Sequence, residues 1–408
     1  MTAKTMAAAC ALLAALAGGA AARAETAEPG VDQLRAEVQE LRVMVRQLFD
    51  RVEQQDAMIR ELRGGPPAPA PAPAAEPVAP APARTPNAFN PAIALVGNFL
   101  AVAGRNPVED LPNAQQRESE LSLQAVVDPY ARADVYLAFG EEDVELEEGY
   151  VTFTALPWDL LLKVGRMRAS FGKVNTLHLH ALPWADEPLT LENLLGGGEG
   201  WAGSGASIAR LLPFGDTFSE LTLEAFHGEA GEGELFSTAR RRDLAYNAHY
   251  RVFRDLSEST NSDLGLSYAR GPNDSAPGAW TSLGGADVTV RWKPLRTARS
   301  RSLTLRGEYV RSRREQPGAD ERADGWFVAG DYQLARRWAL GARVEAAEHG
   351  DDAALEDRGG ALILTFWPSE FSQLRGEYRR RRYFDEITAD ELLMQLQFSI
   401  GAHGAHPF

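Results

Sequence analysis

Toward its end the chain alternates: Leu392, Met394, Leu396, Phe398 and Ile400 share one parity, and Gln395, Gln397 and Ser399 share the other. Successive side chains of a strand point to opposite faces, so the segment reads as a strand with one apolar and one polar face. The same alternation recurs upstream. Trp338, Leu340, Ala342 and Val344 stand against Gly341, Arg343 and Glu345. Leu303, Leu305 and Tyr309 stand against Thr304, Arg306 and Glu308, and Val288, Val290 and Trp292 against Asp287, Thr289 and Arg291.

A soluble sandwich also alternates. Here the apolar face repeats in strand after strand, with no second apolar sheet to cover it. After residue 24 no stretch of 18 consecutive apolar residues occurs, so no membrane helix is expected. A membrane-embedded chain without such helices must close its sheet, because only closure satisfies every backbone group in lipid. The expected fold is an all-β transmembrane barrel of about 16 antiparallel strands, preceded by an α-helical coiled coil. The strands are expected near 92–104, 117–128, 130–139, 144–155, 158–168, 203–212, 218–227, 242–253, 262–271, 284–293, 301–312, 324–334, 337–347, 357–367, 370–381 and 389–401. Short connections alternate with longer polar ones, as periplasmic turns alternate with extracellular loops; the one near 140–143 is short where a long one is due. Aromatic residues gather near the expected strand ends: Tyr250, Trp292, Tyr332, Trp338 and Trp367 by the turns, Tyr309, Trp326 and Tyr378 by the loops.

Four regions are expected: a signal peptide over 1–24, a periplasmic coiled coil over 25–65, a Pro/Ala-rich linker over 66–86 and an outer-membrane barrel over 87–408. The first has Lys4, a small and apolar run from Met6 to Ala22, and Ala22-Arg23-Ala24 as a cleavage site. Its Cys10 is the only cysteine, so a mature chain would have no disulfide. Residues 31–62 follow heptads with Val31, Val38, Val45, Val52 and Ile59 at a and Leu34, Leu41, Leu48, Gln55 and Leu62 at d. β-Branched a with Leu d favours parallel dimers in model peptides. The linker holds nine of the 24 prolines between residues 64 and 86. At ~3.1 Å per residue such a spacer spans on the order of 65 Å.

Acidic residues outnumber basic ones 57 to 42, and no basic block stands apart from acids, so nucleic acid is not an expected partner. The chain has no nucleophile motif, phosphate loop or HExxH, so neither catalysis nor a cofactor is expected. No metal site is assigned. His178 and His180 share one face of an extended segment, and His403 and His406 lie near the C-terminus; these are the weak candidates.

Gly165-Arg166-Met167-Arg168 with Phe171-Gly172, at a strand end before the longest loop, and the terminal Gly401 to Phe408 carry a resemblance over about residues 90–408. The chain resembles Gram-negative porins, and more narrowly the phosphate-selective-porin-like and related outer-membrane families. The resemblance implies a homotrimer, contact with outer-membrane lipid and lipopolysaccharide, and Phe408 as the assembly signal that the barrel-assembly machinery reads. A trimer conflicts with the dimer preference of the heptads; three strands are favoured because a trimeric barrel would dominate assembly. Some similar proteins are called zinc-regulated or TonB-dependent receptors. This sequence departs from that pattern, because only a coiled coil and a spacer precede the barrel, with no plug domain.

The polar parity nominates the lumen. Arg291, Arg306, Arg343 and Arg375 share it with Asp287, Glu308, Asp331, Glu345 and Glu377. Facing groups of opposite sign would set a transverse field across a channel. Lys163 reads inward, while Arg166 and Arg168 read outward unless a bulge intervenes. The longest loop, 169–202, carries Asp186, Glu187 and the Gly196-Gly197-Gly198 run, and is the candidate constriction. The leading function is passive diffusion of small hydrophilic solutes, with anions a candidate class. The alternatives are a structural protein tethering the membrane to peptidoglycan through its coiled coil, and a TonB-dependent or zinc-related receptor without a recognisable plug.

Overall fold

A computed structural model describes residues 91–401, apart from 110, 199, 216, 228–234, 238, 239, 241 and 242. The signal peptide, the heptad segment, the linker, His403, His406 and Phe408 lie outside the described residues.

Sixteen strands form one closed antiparallel barrel in which each strand pairs with its sequence neighbours. They are β1 (Ala92–Arg105), β2 (Ala114–Asp128), β3 (Ala131–Phe139), β4 (Val144–Phe153), β5 (Leu160–Arg168), β6 (Ala202–Leu211), β7 (Phe218–His227) and β8 (Ala245–Ser257). Then follow β9 (Thr260–Pro272), β10 (Trp280–Trp292), β11 (Ser302–Arg314), β12 (Glu321–Ala335), β13 (Trp338–Glu348), β14 (Glu356–Ser369), β15 (Ser372–Arg382) and β16 (Thr388–Gly401). β1 closes on β16 over twelve pairs, from Ala94↔Gly401 to Arg105↔Asp390. Every expected segment meets a strand. The ends differ by a few residues: β10 begins at Trp280 rather than 284, and β8 runs on to Ser257. There the ladder continues beyond the point where the apolar alternation fades.

The alternation becomes a two-sided wall. On β16, Leu392, Met394, Leu396 and Ile400 are each about half exposed, whereas Glu391, Leu393 and Gln395 between them are buried. Exposed apolar side chains continue around the outside through Leu266, Leu340, Val344 and Leu362. Such a belt suits hydrocarbon and not water. At the short-turn rim Tyr130, Trp158, Phe214, Leu295 and Phe371 are all well exposed, a position that suits the membrane–water interface. The short connections lie between β2 and β3 and at every second hairpin after that. On the opposite rim the connection between β3 and β4 is a tight turn closed by Gly140 N–H on the Asp143 carbonyl (3.1 Å). The wall is weakest between β4 and β5, which pair over only five positions, Gly149↔Arg166 to Phe153↔Leu162.

Candidate functional site

The segment between β5 and β6, residues 169–201, folds into the barrel. Its sequence supplies the reason. Phe171, Leu182, Trp184, Leu189, Leu195 and Trp201 are all buried to within 2% exposure, more apolar surface than a solvated loop would leave in water. They meet an apolar patch on the inner wall: Leu283, Val310, Phe327 and Ile363 sit on the inward parity and are buried. The inner face is therefore not uniformly polar, as alternation alone suggests. Trp184 packs edge-on to Phe327 with ring centroids 5.3 Å apart. The Arg343 guanidinium lies over its face at 4.8 Å.

A loop in this position must find partners for its own backbone. Wall carboxylates accept from it at four places. Ser170 N–H donates to Glu224 (2.8 Å), Lys173 N–H to Glu308 (3.0 Å), Ala185 N–H to Glu377 (2.7 Å) and Leu189 N–H to Glu345 (3.0 Å). Leu189 opens a short helix, α1 (Leu189–Leu194). Wall arginines serve the carbonyls. Arg375 donates to the Leu182 (3.1 Å) and Trp184 (2.7 Å) oxygens, Arg381 to that of Glu187 (2.8 Å), and Arg117 to that of Ala185. The loop turns in at Gly172, whose φ of +61° favours glycine, with its N–H on Ser267 Oγ at 2.9 Å. Inward charges that read from the sequence as facing rings are thus largely spent fastening the loop.

Asp186 is the hub. It is 3% exposed and receives Arg343 at 2.6 Å, Arg379 at 3.1 Å and Arg381 at 3.0 Å. Burial opposes its charge, but the three guanidiniums outweigh it and hold the carboxyl well below its usual range. Arg381 also binds Glu192 (2.9 Å) and Glu109 (2.8 Å), and Arg343 binds Glu345 (3.1 Å). Glu187 turns instead to β2 and pairs with Arg117 at 2.6 Å.

A second cluster forms where Leu177 to Ala181 cross the lumen side of β2 and β4. His178 reaches Glu147 (3.0 Å) and Glu148 (2.6 Å) and contacts Glu120. His180 lies 3.5 Å from Glu120 and 3.9 Å from Glu118. Arg168 joins it through Glu147 at 2.9 Å. A register shift between Tyr136 and Leu137 in the β3–β4 pairing makes Glu147 the extra residue, so that Glu147 and Glu148 are both buried.

The remaining candidates divide. Lys163 faces inward with its ammonium 4.8 Å over the Tyr150 ring. Arg166, on the opposite parity, pairs with Glu145 at 3.3 Å where both are partly exposed. Arg291 and Arg306 line the wall on the short-turn side of the loop, Arg306 paired with Asp331. Arg251 and Lys173 share Asp263 there, each at 2.7 Å. Sequence reasoning missed Arg379 and Arg381, although they continue the parity of Arg375 and Glu377 on β15, and Glu391, although it continues that of Gln395 on β16. It also missed Glu118, Glu120, Glu147 and Glu148.

No protein-family profile matches the chain. A protein of Aquifex aeolicus, described as an uncharacterized protein, is 29% identical over 331 residues, covering 71% of this chain and 69% of its own. Among solved structures, the anion-selective porin from Comamonas acidovorans superposes with a TM-score of 0.54 at 11% identity, over 76% of this chain and 100% of its own. Pseudomonas putida OprB gives 0.54 at 10% identity, over 76% and 94% of the two chains. The outer membrane channel DcaP of Acinetobacter baumannii gives 0.52 at 13%, over 76% and 96%. The chain has the sixteen-strand barrel fold of the outer-membrane porins.

Proposed function

We propose that this protein is an outer-membrane porin through which small hydrophilic solutes diffuse passively. One observation carries the reading: the longest connection of a sixteen-strand barrel folds inside and is fastened there by wall side chains. Barrels of sixteen strands are wide enough for an aqueous channel, and an inserted loop narrows it without closing the sheet. The extent of burial around Asp186 argues for a narrow passage and a small unit conductance.

Charge supports weak selection. On the short-turn side of the loop Asp134, Asp263 and Asp331 are each ion-paired. Among the described residues Lys163 and Arg291 make no ion pair, and neither do the acids Glu220 and Asp287. The inventory favours near-balanced permeation over a strong anion preference, although one structural neighbour is an anion-selective porin. Planar-bilayer recording of the purified protein tests the proposal. Small conductance steps with a reversal potential near zero in a KCl gradient are expected. Silent bilayers from heat-modifiable, correctly folded protein would overturn the channel reading and favour a structural tether.

A further inference from the structure

We propose that Glu118, Glu120 and His180 form a binding site for a divalent transition metal of the zinc class, which clips the inserted loop to the β2 wall. Glu118 and Glu120 are two apart on β2 and both point into the barrel; they are 7% and 2% exposed. The loop brings His180, 6% exposed, against them. His180 Nδ1 lies 3.9 Å from Glu118 Oε1 and 3.5 Å from Glu120 Oε2. One donor atom from each of the three residues lies within 4.8 Å of the other two.

These separations are longer than ordinary hydrogen bonds. Zinc holds imidazole nitrogen and carboxylate oxygen at about 2.0–2.2 Å in a tetrahedron, which sets donor atoms roughly 3.3–3.6 Å apart. The His180–Glu120 separation already matches, the His180–Glu118 separation needs a few tenths of an ångström of closure, and the two carboxylate oxygens lie within 4.8 Å of each other. Glu118 supplies the independent observation: its Oε1 is buried and has no hydrogen-bond partner among the described residues. A buried carboxylate oxygen in that state is costly unless something binds it. His178 contacts Glu120 as well as Glu147 and Glu148, and Arg168 pairs with Glu147, so four buried carboxylates share these two basic groups beside His180 and leave negative charge for a cation. The mixed imidazole and carboxylate donor set favours zinc-class ions over calcium or magnesium, which prefer oxygen alone.

The test uses the untagged full-length protein carrying His403→Ala and His406→Ala, which removes the terminal histidines as competing ligands. Equilibrium dialysis against Zn²⁺ should show one ion per chain. His180→Ala and Glu118→Gln should each weaken binding by more than the roughly 10–100-fold that outer-shell changes cost. His249→Ala, a buried histidine on β8, should leave it unchanged. Absence of the stoichiometric ion, or its retention in both site variants, would overturn the site. If a variant fails to form a heat-modifiable barrel, Co²⁺ added to the otherwise unaltered protein decides. An intense visible band of tetrahedral cobalt is expected, and its absence would also overturn the site. Neither readout depends on conductance, so a failed metal site and a failed channel are told apart.

Discussion

Asp186→Asn isolates the hub of the loop. The substitution keeps the size of the side chain and removes its charge from the centre of three guanidiniums, at 2.6, 3.1 and 3.0 Å. Each charge-assisted bond is worth ~1.5–3 kcal/mol net, but the three arginines keep other partners: Glu345 for Arg343, Glu391 for Arg379, and Glu192 and Glu109 for Arg381. The loss should therefore lie near the low end of the cost of breaking a buried ion pair, about 3 kcal/mol. That is roughly a 150-fold shift of the loop from docked to undocked. In single-channel records the variant should show frequent excursions to a wider conductance level that are rare in the parent. The sign with pH is fixed. A carboxyl whose folded pKa is depressed contributes fully above its unfolded value of ~3.9 and loses that contribution only as pH falls through the depressed one. The Asp186 charge itself should thus contribute in full from about pH 5 upward. A folded variant with unchanged conductance and noise would refute the idea that this ion-pair hub holds the loop.

Gly172→Ala should destabilise the inward turn by about 2 kcal/mol, because φ is +61° and a Cβ would lie 2.5 Å from Glu308 Oε1; unaltered thermal unfolding would count against it. Trp184→Ala should cost ~3–5 kcal/mol of loop docking, read as faster hydrogen exchange over 182–186; protection equal to the parent would show that the ring does not anchor the loop. His349, in the loop after β13, hydrogen-bonds Asp357 at 2.9 Å, which raises its pKa above the usual value against the opposing effect of burial. That tie is fully present below about pH 6.5 and is lost as pH rises through the raised value; residues 349–355 should become more protease-sensitive at high pH, and His349→Ala should abolish the change. Removing Phe408 should lower the amount of assembled barrel in cells far more than it lowers refolding in detergent, and equal losses in both would sink the recognition role.

The strands were legible because a lipid-facing wall forces alternation, and Met394 to Ile400 show it without exception. The inserted loop was legible only as long and glycine-bearing. Its direction depends on Trp184 finding Phe327, and Phe327 stands on a parity that alternation alone would assign to water. Glu147 was hidden by a bulge, which shifts parity for every residue before it on β4. His178 and His180 were visible as a pair, but their partners on β2 and β4 lie far off in the chain, where local spacing carries no information. Arg379 and Arg381 could have been found by extending the parity of Arg375 and Glu377 two steps further.

The seam between β1 and β16 has a kinetic consequence. Asn98 and Gln395 meet there through a buried 3.0 Å hydrogen bond although 297 residues separate them. Until the last strand arrives, β1 exposes a full row of unpaired backbone groups, the template on which other chains aggregate. Every other strand can zip onto its sequence neighbour as it emerges, whereas this junction must wait for the whole chain and then close the longest loop in the molecule. Closure is thus a late, cooperative event, and a chain truncated before Thr388 should persist as an open, sticky sheet rather than as a smaller barrel.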